Sequence, residues 1–164
     1  MKKIISAFVF CLMTFFAGSN AYAMIDESQV ALGGITPLAS QEYIRNIYGN
    51  PTSVSSPYRN ALVWSYGKTV SIHFVSGAAF GYVNDQSEYY QFFLNSITTT
   101  ANNGFATPAG IIVGMDESIV YQIYGNPDFR KGNSITYRTR RGGYGLSFNI
   151  KKGKVAGITA FCSI

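Results

Sequence analysis

Cysteine, histidine and acidic residues are scarce in this 164-residue sequence, which holds two cysteines, one histidine and eight Asp plus Glu. Such an inventory excludes a disulfide-stapled scaffold and leaves little material for a metal cluster or an acid–base catalytic set. Long apolar runs are scarce too. Residues 4–17 form the one long run, which follows Met1-Lys2-Lys3 and precedes the small-residue site Ala21-Tyr22-Ala23. That is the layout of a secretory signal peptide over residues 1–23 and not of a membrane bundle. The mature chain is therefore expected to start at Met24 and to be exported, to the periplasm or the extracellular space, with no transmembrane segment after signal cleavage. Cys11 leaves with the signal, and Phe8-Val9-Phe10 before it lacks the small residues of a lipid-attachment site, so no lipid anchor is expected. Cys162 then stands alone, and no intramolecular disulfide can form. Its two readings are a buried small residue in a terminal strand and a thiol able to pair with another chain.

What is present is apolar and aromatic: 47% of the residues are hydrophobic and 15% are Phe, Trp or Tyr, enough for a packed core and too much for a disordered chain. Loss of Lys2 and Lys3 with the signal takes the net charge from +5 to about +3.

An internal repeat organises the rest. Gly34-Ile35 matches Gly110-Ile111, and Ile47-Tyr48-Gly49-Asn50-Pro51 matches Ile123-Tyr124-Gly125-Asn126-Pro127, at an offset of about 76 residues. Ser71, Gly77 and Gly81 meet Ser147, Gly153 and Gly157 at the same offset. About a dozen identities fall over about 56 pairs, where composition alone gives roughly four. The domain division is accordingly 24–105 and 106–164.

Each copy reads as a short helix followed by strands. Ser40 and Asp116 are candidate N-caps, and Ile44, Ile47 and Tyr48, like Val120, Ile123 and Tyr124, fall on one helical stripe. Gly49 and Gly125 suit a left-handed helix end, and Pro51 and Pro127 prevent continuation. Alternating segments at 62–66, 70–75 and 80–83 then read as strands, as do 135–139, 146–150 and 155–161. Residues 89–100 read as a further strand, so either 80–83 or 89–100 is the counterpart of 155–161. The expected fold class is α+β: a tandem duplicated unit, each copy a short helix packed on a three- to four-stranded antiparallel sheet.

Gly114-Met115-Asp116-Glu117-Ser118-Ile119-Val120, followed by Tyr124-Gly125-Asn126-Pro127-Asp128, an aromatic strand and a Gly-turned hairpin, resembles the Gly-Met-polar helix and Gly-x-Pro signature of the SmpA/OmlA (BamE-like) domain. The beta-lactamase inhibitor protein family is similar in being an exported tandem of such units. Copy one departs at Leu38-Ala39-Ser40, and the mature chain has neither the inhibitor's disulfides nor a lipidated cysteine. The resemblance implies a fold and a habit of binding other proteins through the exposed sheet face and loops.

Signals of catalysis are weak. In Ser71-Ile72-His73-Phe74-Val75, the apolar neighbours take one face and His73 points the other way, where a solvated histidine is the ordinary case. Asp85, Glu88 and Asp128 show no spacing that would make a metal site with it. Ser65-Tyr66-Gly67-Lys68 matches a Ser-x-x-Lys motif by chance, because a strand end and turn separate the pair. Gly142-Gly143-Tyr144-Gly145 lacks the Lys-Ser/Thr ending of a phosphate loop and reads as a hairpin turn. Neither an enzyme, nor a cofactor, nor a metal is expected.

Charge is more informative. Residues 24–105 carry a net charge of about −2 and residues 106–164 about +5. Arg138 and Arg140 alternate with Ile135, Tyr137 and Thr139, and Lys151, Lys152 and Lys154 crowd a neighbouring turn. The bland account is a solvated edge guarded by lysines. The sharper one is a surface for an anionic partner, with His73, Arg138, Arg140, Arg141 and Lys152 as candidate contact residues. Tyr58, Tyr66, Tyr82, Tyr89, Tyr90, Tyr121, Tyr137 and Tyr144 add contact area suited to recognition, though strand propensity alone also enriches tyrosine. The function expected is an exported non-enzymatic binding module for a protein or cell-envelope component. The alternative, implied by the resemblance, is an inhibitor of a hydrolase such as a beta-lactamase. Nucleic acid is not an expected partner of an exported chain.

Overall fold

The structure is a computed structural model that describes residues 24–76 and 92–162. The expected signal peptide at 1–23 and the expected strand at 80–83 lie outside the described residues. Two helices of eight residues each are described, α1 (Gln41–Tyr48) and α2 (Glu117–Tyr124). The Ser40 hydroxyl accepts from the Tyr43 N–H at 3.1 Å and caps α1. Asp116 occupies the same position before α2 but makes no side-chain cap; its carboxylate accepts from Lys154 Nζ at 2.9 Å. Both helices stop on glycine, Gly49 and Gly125, each with φ of 73°, as the shared Tyr-Gly-Asn-Pro pattern requires. A tyrosine from a strand holds each stop in place: Tyr66 donates to the Gly49 carbonyl and Tyr137 to the Gly125 carbonyl, both at 2.9 Å.

The strands are β1 (Ser53–Tyr58), β2 (Ala61–Tyr66), β3 (Val70–Ser76), β4 (Phe92–Thr99), β5 (Phe129–Lys131), β6 (Ser134–Arg138), β7 (Tyr144–Lys151) and β8 (Lys154–Cys162). They form one antiparallel sheet in the order β1-β2-β3-β4-β8-β7-β6-β5. This corrects the expected α+β tandem of two units, each with its own sheet. β4 and β8 are hydrogen-bonded through Ser96↔Phe161, Ile97↔Ala160, Thr98↔Thr159 and Thr99↔Ile158, so the strands of both halves belong to a single sheet. The physical reason lies in those two strands. Each would otherwise be a long, β-branched edge with a row of unpaired N–H and C=O groups, and joining them removes both edges. The edges that remain differ: β5 has three residues, two of them basic, and β1 carries Pro57. Of the two candidates for the counterpart of β8, the segment 89–100 supplies β4, which lies beside β3 as β8 lies beside β7.

One face of the sheet is covered. Trp64, Ile72, Phe74, Leu94, Ile97, Ile158, Leu146, Phe148, Tyr137 and Ile135 point to it and are buried. With Ile44 of α1, Val120 and Tyr124 of α2, and Leu32, Ile35, Phe105 and Ile111 of the loops, they form one hydrophobic cluster. The Arg45 guanidinium lies 4.6 Å above the Trp64 ring, and Tyr124 packs 5.3 Å from Tyr137 and 6.0 Å from Phe148, ring centre to ring centre. Among the described residues, no helix is long and apolar enough to cross a membrane.

Candidate functional site

Because side chains alternate along a strand, burying Trp64, Ile72, Ile97, Ile158, Phe148 and Tyr137 turns their neighbours to the opposite, open face. Antiparallel register then aligns those neighbours in rows. One row runs Ser53, Ser65, Ser71, Thr98, Thr159, Ser147, Thr136 and Phe129, one residue from each of the eight strands and seven of them hydroxylic. Its hydroxyls are tied to each other, Thr98 to Thr159 at 2.9 Å and Ser147 to Thr136 at 3.2 Å, and Ser147 is also tied to Ser134 beside the row at 2.9 Å. The adjacent row runs Val63, His73, Ser96, Phe161, Gly145 and Arg138.

Beside the hydroxyl row lies a shallow hollow of about 490 Å³ over β4, β8, β7 and β6, reaching Lys131 on β5. Thr98, Thr159, Ser147, Ser134, Asn149 and Gly157 line it. The sequences of the eight strands contain no Asp or Glu, while β3, β5, β6, β7 and β8 supply His73, Arg130, Lys131, Arg138, Lys151 and Lys154. Lys154 and Arg130 are spoken for, by Asp116 at 2.9 Å and Glu117 at 2.5 Å. Arg130 also donates to the Tyr121 hydroxyl, fastening β5 to α2.

The residues singled out from the sequence do not gather at one point. His73 is exposed on the open face and shares a row with Arg138. Four strand spacings separate them, about 19 Å. Arg138 stacks its guanidinium 4.9 Å from the centre of the Phe129 ring, and its backbone N–H donates to Asp128 at 2.6 Å. Arg140 and Arg141 are not on the sheet face. They stand in the β6–β7 turn and line a hollow of about 570 Å³ together with Met24, Ile25, Asp26, Glu27 and Thr139. Lys152 is in the β7–β8 turn, at the far end of an eight-residue strand, about 25 Å from the arginines.

Among the described residues, no three of His, Cys, Asp and Glu come close enough to hold a metal ion. Cys162 is buried at the end of β8, and burial pushes its thiol pKa up, which suits the buried-residue reading. Of the tyrosines, Tyr137 is wholly buried, Tyr121 and Tyr66 are engaged with Arg130 and Gly49, and Tyr58 is exposed on β1. Tyr82, Tyr89 and Tyr90 lie outside the described residues. The hydroxyl row escaped the sequence reading. Its signal was there, in Ser147 between Leu146 and Phe148 or Thr159 between Ile158 and Ala160, but only register shows that these serines and threonines are neighbours.

No family model and no curated protein matches the chain, so the SmpA/OmlA likeness rests on the quoted residues alone. Among solved structures the chain is similar to an extracellular protein containing a SCP domain from Bacillus anthracis str. Ames, with a TM-score of 0.50 and 9% identity over 88% of this chain and 49% of that one. The chain thus spans about half the length of that protein, and at this identity the likeness concerns the fold alone.

Proposed function

We propose that the protein is an exported, non-enzymatic binding module that holds a cell-envelope component against the open face of its sheet. The observation that carries this reading is the pairing of an apolar face covered over its central strands with an opposite face that aligns hydroxyls and adds amides and cations. Export is supported by the Lys2-Lys3 start, the apolar run at 4–17 and the Ala21-Tyr22-Ala23 site. The experiment is co-sedimentation of the purified chain with isolated envelope material. Thr98→Glu and Ser147→Glu, which put carboxylates on strands that have none, should each reduce the bound fraction at least fivefold, while Glu42→Gln on α1 should not. Equal binding by all four proteins would overturn the use of this face.

A second reading, a hydrolase inhibitor, is favoured by one feature. Phe129 is 55% exposed beneath Arg138, an aromatic–arginine pair of the kind that anchors protein partners. It is checked by adding micromolar protein to a beta-lactamase assay, and an unchanged hydrolysis rate removes it.

A further inference from the structure

We propose that the hollow over β4, β8, β7 and β6 is a subsite for an acidic sugar segment of a glycan, an inference that rests on the binding-module reading and names its ligand class.

The lining decides the chemistry. Hydroxyls of Thr98, Thr159, Ser147 and Ser134 and the amide of Asn149 each both donate and accept. A ligand that also does both at closely spaced positions, as a sugar ring does, satisfies them. A lipid chain would leave their remaining donor and acceptor capacity unused, and a peptide strand seeks a free sheet edge, whereas these hydroxyls stand on β4, β8, β7 and β6 inside the sheet and only Lys131 comes from the edge strand β5. The volume of about 490 Å³ lies within the usual range of small-molecule sites.

Two details fit a sugar more closely. The residues that carry the hydroxyls recur at the strand spacing of about 4.8 Å and their oxygens draw together to 2.9–3.2 Å, so donors and acceptors stand in close groups as they do around a sugar ring. Gly157 opens the floor: a Cβ there would have no neighbour nearer than the Thr99 carbonyl oxygen at 3.4 Å, so the space beside it is left vacant by the lack of a side chain and not by a clash.

Charge selects the acidic class. Lys131 lines the hollow, and no carboxylate does. A carboxylate on the ligand therefore meets a cation and no like charge. The hydroxyls are already held by their mutual bonds at 2.9–3.2 Å, so little rotor freedom is lost on binding.

The test is titration calorimetry of the purified chain with trigalacturonate, maltotriose and inorganic phosphate. Trigalacturonate should bind at least tenfold more tightly than maltotriose. Lys131→Gln should erase that preference without weakening maltotriose. Gly157→Ala, which fills the floor, and the pair Ser147→Ala/Thr159→Val should each weaken both sugars about tenfold, with melting temperatures near that of the parent showing an intact fold. Absence of saturation at millimolar trigalacturonate, equal affinity for the two sugars, indifference to the variants, or phosphate binding as tightly as trigalacturonate would each overturn the assignment. If the sugars fail while open-face variants still lose envelope co-sedimentation, the subsite falls and the binding module stands, with protein as the remaining partner class. If co-sedimentation ignores the open face while the sugars bind as stated, the reverse holds.

Discussion

The covered and open faces of the sheet are made by the same strands, often by adjacent residues, yet they ask different things of a side chain. On β7 the covered face takes Leu146, Phe148 and Ile150, all buried, while the open face takes Ser147, Asn149 and Lys151. Stability should concentrate on the first set and recognition on the second. The largest expected effect is on the covered face: Phe148→Ala, beneath Tyr124 and against Tyr137 at 6.1 Å, should cost about 3–5 kcal/mol in urea unfolding. A loss below about 1.5 kcal/mol would mean that the core is less tightly closed than the burial of Phe148 implies.

One open-face position should break the contrast. At Gly145 a Cβ would stand 2.5 Å from the Tyr137 carbonyl oxygen and 2.6 Å from Phe161 Cζ. The ring can swing aside, but the carbonyl is backbone. Gly145→Ala should therefore cost about 1–3 kcal/mol, and adding Phe161→Ala should not restore it. Recovery in the double variant would place the strain in the ring contact alone.

The covered face should also respond to alkali. Burial raises the pKa of Tyr137, Tyr124, Tyr48, Tyr66 and Tyr144 above the ordinary value of 10.0. Above pH 10 the unfolded chain loses these protons and the folded chain keeps them, so the unfolded state binds fewer protons and stability falls as pH rises. Below pH 10 that contribution is fully present. Each tyrosine adds a slope of up to about 1.4 kcal/mol per pH unit. Tyr137→Phe should flatten the profile between pH 10 and 12 even though it also removes the bond to Gly125. An unchanged slope would show that Tyr137 does not set it.

Much of the covered face was legible in the sequence. Ile44, Val120 and Tyr124 are buried as the helical stripes foresee and the glycine stops hold, both with a local cause, the helical period and the steric freedom of glycine at positive φ, but Ile47 and Ile123 on the same stripes stay 45% and 44% exposed. What was not legible has a non-local cause. Nothing in residues 92–99 or 154–162 says that they pair with each other, and that pairing turns two expected sheets into one. The candidate site was legible in its residue types more than in its place. His73 and Arg138 do face outward, but periodicity cannot foresee that Arg140 and Arg141 leave the sheet face for a turn beside residues 24–27 or that Lys152 sits at the other end of β7. The aligned hydroxyls depend on eight strands keeping register, a property of the assembled sheet.

The smallest expected effect on stability is the sharpest test of the contrast. Thr98 and Thr159 bridge the β4–β8 seam through a 2.9 Å bond between half-buried hydroxyls. Thr98→Val or Thr159→Val leaves one hydroxyl still within reach of water, so each should cost no more than about 1 kcal/mol. The pair Thr98→Val/Thr159→Val replaces both with side chains of the same shape and equal fitness for a strand, and should cost less than the sum of the singles. Envelope and trigalacturonate binding should fall at least tenfold in the pair all the same. A seam that loses more than about 2 kcal/mol with binding intact would mean that the hydroxyls hold the two halves of the sheet together instead of holding a ligand.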